Sequence, residues 1–243
     1  MGRPLFGKKE SDEGSWVSVS DLMAGLMIVF LFILILYARI ANERLESAQD
    51  VVDEWRKSEA QIYQALHDEF RDDLDEWDAE IDNKSLTVRF RSPEILFDEG
   101  KATLKPKFEN ILDEFMPRYI GLIASRFDDK VDEVRIEGHT SSGYFETPSE
   151  MKAFTENMKL SQNRTRAVLE YSLKNKDLGH LRPWMYKKVS ANGLSSSRLI
   201  LQEDGKENKT QSRRVEFKIR TKSKEALFDF MKKIAPTQER ASK

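Results

Sequence analysis

One stretch leaves this chain little freedom: residues 16–40 read WVSVSDLMAGLMIVFLFILILYARI. Within residues 17–38 the single charged side chain is Asp21, and a helix rising about 1.5 Å per residue over that run spans the roughly 30 Å hydrocarbon core of a bilayer. A transmembrane helix over residues 16–41 is the expectation. The run begins too far into the chain and is too long for the apolar region of a signal peptide, and no A-x-A pattern follows it, so an uncleaved anchor is expected. Arg3, Lys8 and Lys9 precede the run while Arg39, Arg44, Arg56 and Lys57 follow it, so flanking charge assigns no orientation.

Asp21 is costly where it stands. A carboxylate inside a membrane helix costs about 2.5–3.5 kcal/mol on insertion scales and is a functional hypothesis by default. Positions three, four and seven residues away hold Ser18, Ala24, Gly25 and Ile28, a face of mostly small groups on which another helix can come close. Val29, Phe30 and Leu34 lie opposite and suit lipid or an apolar partner. Asp21 also lies one turn inside the apolar run, where a carboxylate can cap the helix or reach the headgroups. An ion-carrying role is the first reading and a capping role the second.

The rest of the chain lies outside the bilayer, for 34% of its 243 residues are charged. The net charge of -2 provides no general basic field, so nucleic acid is not an expected partner. Without cysteine there is no disulfide, no cysteine-ligated zinc and no thiol catalysis. Neither G-x-S-x-G, nor a P-loop, nor H-E-x-x-H occurs, so no enzymatic activity, cofactor or metal is expected.

Residues 1–15 read as a short polar tail at the membrane face. Beyond the membrane run no Gly or Pro occurs between Tyr37 and Ile81, and apolar residues recur at Val51, Val52, Trp55, Ile62, Leu66, Phe70, Leu74, Trp77 and Ile81. That stripe predicts an amphipathic helical linker over residues 42–82 whose apolar face needs a partner, either a second copy or the domain that follows. Nine acidic residues between Asp68 and Asp82 read as a solvated helix face, since their spacing is not that of an EF-hand loop.

Residues 83–235 change character, with residues 236–243 as a tail. Alternation predicts strands over residues 85–91, 131–140, 186–191 and 214–220. Helical spacing predicts an amphipathic helix through Phe108, Ile111, Leu112, Phe115 and Tyr119, a long helix from about residue 148 or 157 to 171, and a short closing helix over residues 223–234. The order β-α-β-α-β-β describes an α+β domain with helices packed on a mixed sheet.

Four segments, LFDEGKATLKP, IEGHT, NMKLSQNRTRAV and NKTQSRRVEF, resemble the OmpA-like peptidoglycan-binding domain and occur in that family's order. An Asp-bearing membrane helix ahead of such a domain resembles the MotB-like stator subunits of the flagellar motor, and the segment DLMAGLMIVFLF resembles more closely the ZorB family of Zorya anti-phage systems. The resemblance implies a homodimer of this chain inside a pentamer of a MotA-like (ZorA-like) membrane subunit, in the bacterial inner membrane. It also implies a cytoplasmic N-terminus and a periplasmic C-terminal domain that binds peptidoglycan.

In the family, an Arg in the LSxxR motif pairs with a carboxylate of the diaminopimelate in the stem peptide; that position is Arg164. Asn157 and Leu160 match positions lining the same cleft, and Thr140 and Ser141 match the corner after the second strand. The family's Asp directly after GHT is replaced by Ser141, which weakens the amine-binding half of the site. Arg213 and Arg214 match an NRR motif with Ser212 in place of Asn, and Arg214 reads as structural. His139 is expected to hold the strand-to-loop corner by hydrogen bonds rather than to bind a metal. The implied function is a peptidoglycan-anchored, proton-driven stator, with H⁺ favoured over Na⁺ because a lone carboxylate suffices for a proton. The alternatives are a flagellar stator subunit and a static membrane-to-wall tether, which needs no intramembrane carboxylate.

Overall fold

The structure is a computed structural model that describes residues 13–91, 93–143, 149–222 and 228. The predicted tails and the predicted closing helix over residues 223–234 lie almost wholly outside that set. The chain divides into two units, one ending at Val52 and the other spanning Asp53–Asp229.

In the first unit the helix α1 (Glu13–Phe70) begins before the apolar run and passes through it unbroken. It is the one helix among the described residues that is long and apolar enough to cross a membrane. Its large side chains find no cover in the chain itself: Leu22 is 75% exposed, and Phe30, Phe32 and Leu34 are similarly open. Such a surface is stable against lipid or a partner helix and not against water.

In the second unit, α1 stops where its role changes. Ile62, Leu66 and Phe70, one helical turn apart, are fully buried in the core, so this half of the predicted stripe finds its partner in the domain that follows. The helix ends at Phe70, turns carry the chain through Asp78, whose φ of 47° is left-handed, and the strand β1 (Ala79–Asp82) begins. Residues 79–82, expected at the end of a helical linker, are thus a strand. Ala79 and Ile81 alternate with Glu80 and Asp82, a period of two that the acidic composition obscured. Nor is the acidic run one solvated helix face: the helix ends at Phe70, and while Asp72, Asp75 and Glu76 are exposed in the turns, other acids are taken into the fold. Glu69 and Asp73 both bind the guanidinium of Arg118, at 2.7 and 2.8 Å, and that guanidinium lies 4.9 Å from the centre of the Phe70 ring.

The mixed sheet has the order β1-β2-β5-β3-β4, with β2 (Thr87–Phe90), β3 (Val131–His139), β4 (Val189–Gly193) and β5 (Arg214–Thr221). β3 and β4 pair in parallel, and the other neighbours are antiparallel. Between them lie α2 (Pro93–Leu96), α3 (Pro106–Arg126), α4 (Glu150–Lys174), a 3-10 turn (Gly179–Leu181), α5 (Arg182–Lys188) and α6 (Lys209–Ser212). The predicted strand over residues 186–191 is shifted: Tyr186 sits in α5, which Pro183 opens in its first turn, and pairing begins at Val189.

α3 starts on Pro106 and buries Phe108, Ile111, Leu112, Phe115, Met116, Tyr119, Ile120 and Ile123. The Phe115 ring stands 5.2 Å from Phe70, 5.3 Å from Phe90 and 4.9 Å from Phe217, so one side chain joins α1, β2 and β5.

α4 is capped by Ser149, whose hydroxyl accepts from the Lys152 N–H, and it begins seven residues before the later of the two predicted starts. Its close approach to the sheet depends on two glycines paired in register, Gly138 on β3 and Gly193 on β4. A Cβ on Gly138 would stand 2.7 Å from Thr165 Cγ2 and 2.9 Å from the Ser161 carbonyl oxygen, and one on Gly193 would run into the Gln162 backbone. This packing brings α4, with Asn157, Ser161 and Arg164, onto the end of the sheet where β3 finishes and β5 begins.

Candidate functional site

Arg164 is 9% exposed and reaches from α4 into the loop after α2. That loop is pinched by a bridge between Phe97 and Leu104 and turns at Gly100, whose φ of 67° is left-handed. Arg164 Nε donates to the Lys101 carbonyl at 2.8 Å and Nη2 to the Asp98 carbonyl at 3.2 Å. The guanidinium carbon lies 4.9 Å from the centre of the Phe97 ring. The side chain assigned to a ligand carboxylate therefore also holds its own loop, through part of its five-donor fork. Burial, and then the charge of Arg213, push the Arg164 guanidinium down to about 10.

The corner residues are assembled beside it. Asn157 is buried, and its Nδ2 donates to the Ser141 and Gly143 carbonyls at 3.1 and 3.2 Å, so it ties the loop after β3 to α4. The Thr140 N–H donates to the Ser195 carbonyl, the Ser195 N–H to Ser161 Oγ and the Ser195 hydroxyl to the Phe154 carbonyl, at 2.9, 3.0 and 2.8 Å. Thr140 and Ser141 are buried, and Leu160 is half-buried one turn before Arg164. Asn157, Thr140, Ser141 and Arg164 thus gather at one end of the sheet. Next to Ser141, the Ser142 N–H donates to Glu207 Oε1 at 2.9 Å. Sequence reasoning did not single out Glu207, which lies in a charged turn with no periodic signal.

The other face of the same sheet end carries a buried charge cluster. Glu216 Oε1 accepts from Arg89 Nε and from Arg214 Nε, both at 2.6 Å, and Arg214 also donates to the Arg198 and Ser212 carbonyls. Arg214 is structural, as its position suggested. His139 does not hold the corner by hydrogen bonds as expected. Its fully buried ring places Nε2 3.4 Å from Glu216 Oε2 and 4.0 Å from Glu137 Oε2. Among the described residues, Glu137, His139 and Glu216 are the group with the geometry to hold a metal ion. Two guanidiniums already neutralise Glu216, so the cluster is built as an ion-pair network and the added charge of a cation has no electrostatic support there. Alternation within RVEFKIR places Arg214 and Glu216 on one face, but only cross-strand register brings Arg89 and His139 to them.

Asp21 lies within the apolar part of α1, exposed in the isolated chain, with Leu22 and Met23 beside it and Gly25 one turn on; a Cβ on Gly25 would meet nothing.

Residues 96–220 match the OmpA family. The chain is 47% identical to the Zorya protein ZorB of Escherichia coli over 214 residues, which is 88% of this chain and 91% of that protein. The chain belongs to the ZorB family of OmpA-domain proteins. Among solved structures, a MotB-like protein from Desulfovibrio vulgaris shares the fold at a TM-score of 0.50 and 22% identity, covering 70% of this chain and 98% of its own. The cell wall anchor of the type VI secretion system from Pseudomonas aeruginosa aligns at a TM-score of 0.44 and 19% identity, over 64% of this chain and 96% of its own. The one membrane-length apolar helix among the described residues and the OmpA domain of this ZorB-family chain fit a single-pass inner-membrane protein.

Proposed function

We propose that this chain is the wall-anchored stator subunit of a Zorya-type anti-phage motor. A homodimer of it sits inside a pentamer of ZorA-like (MotA-like) subunits, with its N-terminus cytoplasmic and its OmpA domain in the periplasm. The domain binds peptidoglycan by pairing Arg164 with a carboxylate of the diaminopimelate stem residue, beside Asn157, Leu160, Thr140 and Ser141. A guanidinium offers two parallel donors to that carboxylate, which an ammonium cannot match. Asp21 accepts an ion, a proton by preference, from the periplasmic side and releases it to the cytoplasm, and this passage turns the surrounding ring. The protein breaks no covalent bond.

The observation that supports ion carriage is the placement of Asp21 as the sole charge in residues 17–38 of a ZorB-family chain, since a static tether needs no carboxylate there. Asp21→Asn keeps size and hydrogen-bonding capacity but cannot exchange a proton. Cells carrying it are expected to assemble the complex in a pull-down, to retain wall binding and to lose phage protection. Full protection by an assembled Asp21→Asn complex would return the chain to the role of a static tether.

A further inference from the structure

Arg164 is not the only guanidinium at its end of the sheet. β3 and β5 pair Gly138 with Val215 and, as their last pair, His139 with Arg214; Thr140 and Arg213 are the residues just beyond that pair, and Arg213 keeps extended backbone. Opposed residues in an antiparallel pair share a face, and faces alternate along each strand. By alternation in that extended backbone Arg213 turns to the side of Val215 and Gly138, the side that α4 covers and onto which α4 brings Arg164. His139 and Arg214 lie on the other face, inside the ion-pair network. The sequence motif sets Arg213 and Arg214 side by side, and the sheet sends them to opposite sides.

Three polar groups at this point lack what burial demands. Arg213 Nε and Thr140 Oγ1 are both buried without a hydrogen-bond partner. Arg164 is surrounded by carbonyls and by the Arg213 charge, with no carboxylate among its influences. A buried Arg164 charge beside the half-buried Arg213, whose Nε is out of water, and an unused hydroxyl destabilise the free domain, and natural chains keep such arrangements where a ligand resolves them. An anion placed between the guanidiniums would satisfy all three.

We propose that Arg213 and Thr140 join Arg164 in a single anion pocket that receives one carboxylate of the wall peptide. Arg164 and Arg213 donate to its oxygens from two sides, and the Thr140 hydroxyl donates the third bond. This deepens the wall-binding reading above and rests on it. It gives Arg213 a ligand-holding role that the neighbouring Arg214 does not share, and it sets the ligand as a planar carboxylate that two forks can grip.

The test uses the full chain in detergent, sedimented with purified sacculi and with sacculi whose carboxyl groups have been converted to amides. Wild type should bind the intact sacculi and lose most of its binding to the amidated ones. Arg213→Ala should bind intact sacculi roughly 10- to 150-fold more weakly, the range for a charge-assisted hydrogen bond, and Arg213→Lys should recover only part. Without sacculi, Arg213→Ala should unfold at the same temperature as wild type or higher, because a repulsion has been removed. A lower midpoint for Arg213→Ala would mark Arg213 as a structural residue and overturn the assignment. So would unchanged binding of Arg213→Ala to sacculi that wild type binds. Equal binding of wild type to intact and amidated sacculi would overturn the carboxylate pocket and leave wall binding standing. Failure of wild type to bind either would remove the wall-binding reading itself and the pocket with it.

Discussion

Arg89 on β2 and Glu216 on β5 face each other in register, Nε to Oε1 at 2.6 Å, in the middle of a row of charged side chains that crosses four strands. Glu80, Arg89, Glu216 and Glu137 form that row, and Arg214 closes it from Glu216's own strand. Glu216 is almost fully buried, so removing its charge leaves the buried Arg214 guanidinium without its carboxylate, while Arg89 keeps Glu80. Glu216→Gln is expected to lower the unfolding free energy of the periplasmic-type domain by about 3–5 kcal/mol, the cost of breaking a buried pair from one side. Denaturant unfolding of the full chain in detergent, followed by the fluorescence of the buried Trp77, measures it.

The same cluster sets a pH dependence. Burial holds His139 below its ordinary 6.5, helped by the Arg214 charge and opposed by Glu216 and Glu137. For Glu216 burial acts upward, but the His139 and Arg214 interactions outweigh it and hold the carboxyl well below the usual range that starts from 4.5. Both folded-state values are depressed, so the unfolded chain takes up each proton first, and stability falls with falling pH. The loss should begin below about pH 6.5 through His139 and steepen below about pH 4.5 through Glu216. The thermal midpoint of wild type should fall between pH 7 and 5.5, and His139→Gln should be flat over that window. An equal slope in both would remove His139 as the sensor.

Gly193→Ala should destabilise more than Gly138→Ala. The added methyl on Gly193 meets α4 backbone at Gln162, which cannot give way, whereas on Gly138 it meets in part the movable Thr165 methyl. Overpacking of this kind costs about 1–3 kcal/mol, and both variants should lower the thermal midpoint in that order.

Arg164→Ala should have two consequences. Its guanidinium holds the Asp98 and Lys101 carbonyls, so amide exchange in residues 98–104 should quicken along with the loss of wall binding. Arg164→Lys should lose both in large part, since an ammonium cannot bridge two carbonyls and stack on Phe97 in the same geometry. Unchanged exchange in the loop would show that Gly100 and the Phe97–Leu104 bridge suffice to hold it.

Much of the architecture is written in local pattern. The apolar run with Asp21 makes a membrane-length helix because 3.6-residue geometry and hydropathy act on neighbours along the chain. Alternation in TVRF, VDEVRIEGH and RVEFKIR is enough to place β2, β3 and β5. β1 was hidden because its apolar positions are only Ala79 and Ile81, set among acids whose partners, Arg89 for Glu80 and Arg118 for Asp73, come from elsewhere in the chain. Tyr186 joined a helix rather than a strand because Pro183 fixes the backbone ahead of it.

The site divides along the same line. That Arg164, Asn157 and Thr140 share one end of the sheet follows from the order of the motifs, and Asp21 stands out on hydropathy alone. That Arg214 meets Glu216 with Arg89 and His139 beside it, while its neighbour Arg213 turns to the other face, was decided by the pairing of β5 with β2 and β3. Which residues a side chain meets across a sheet depends on register between strands far apart in sequence, and packing of whole elements sets that register.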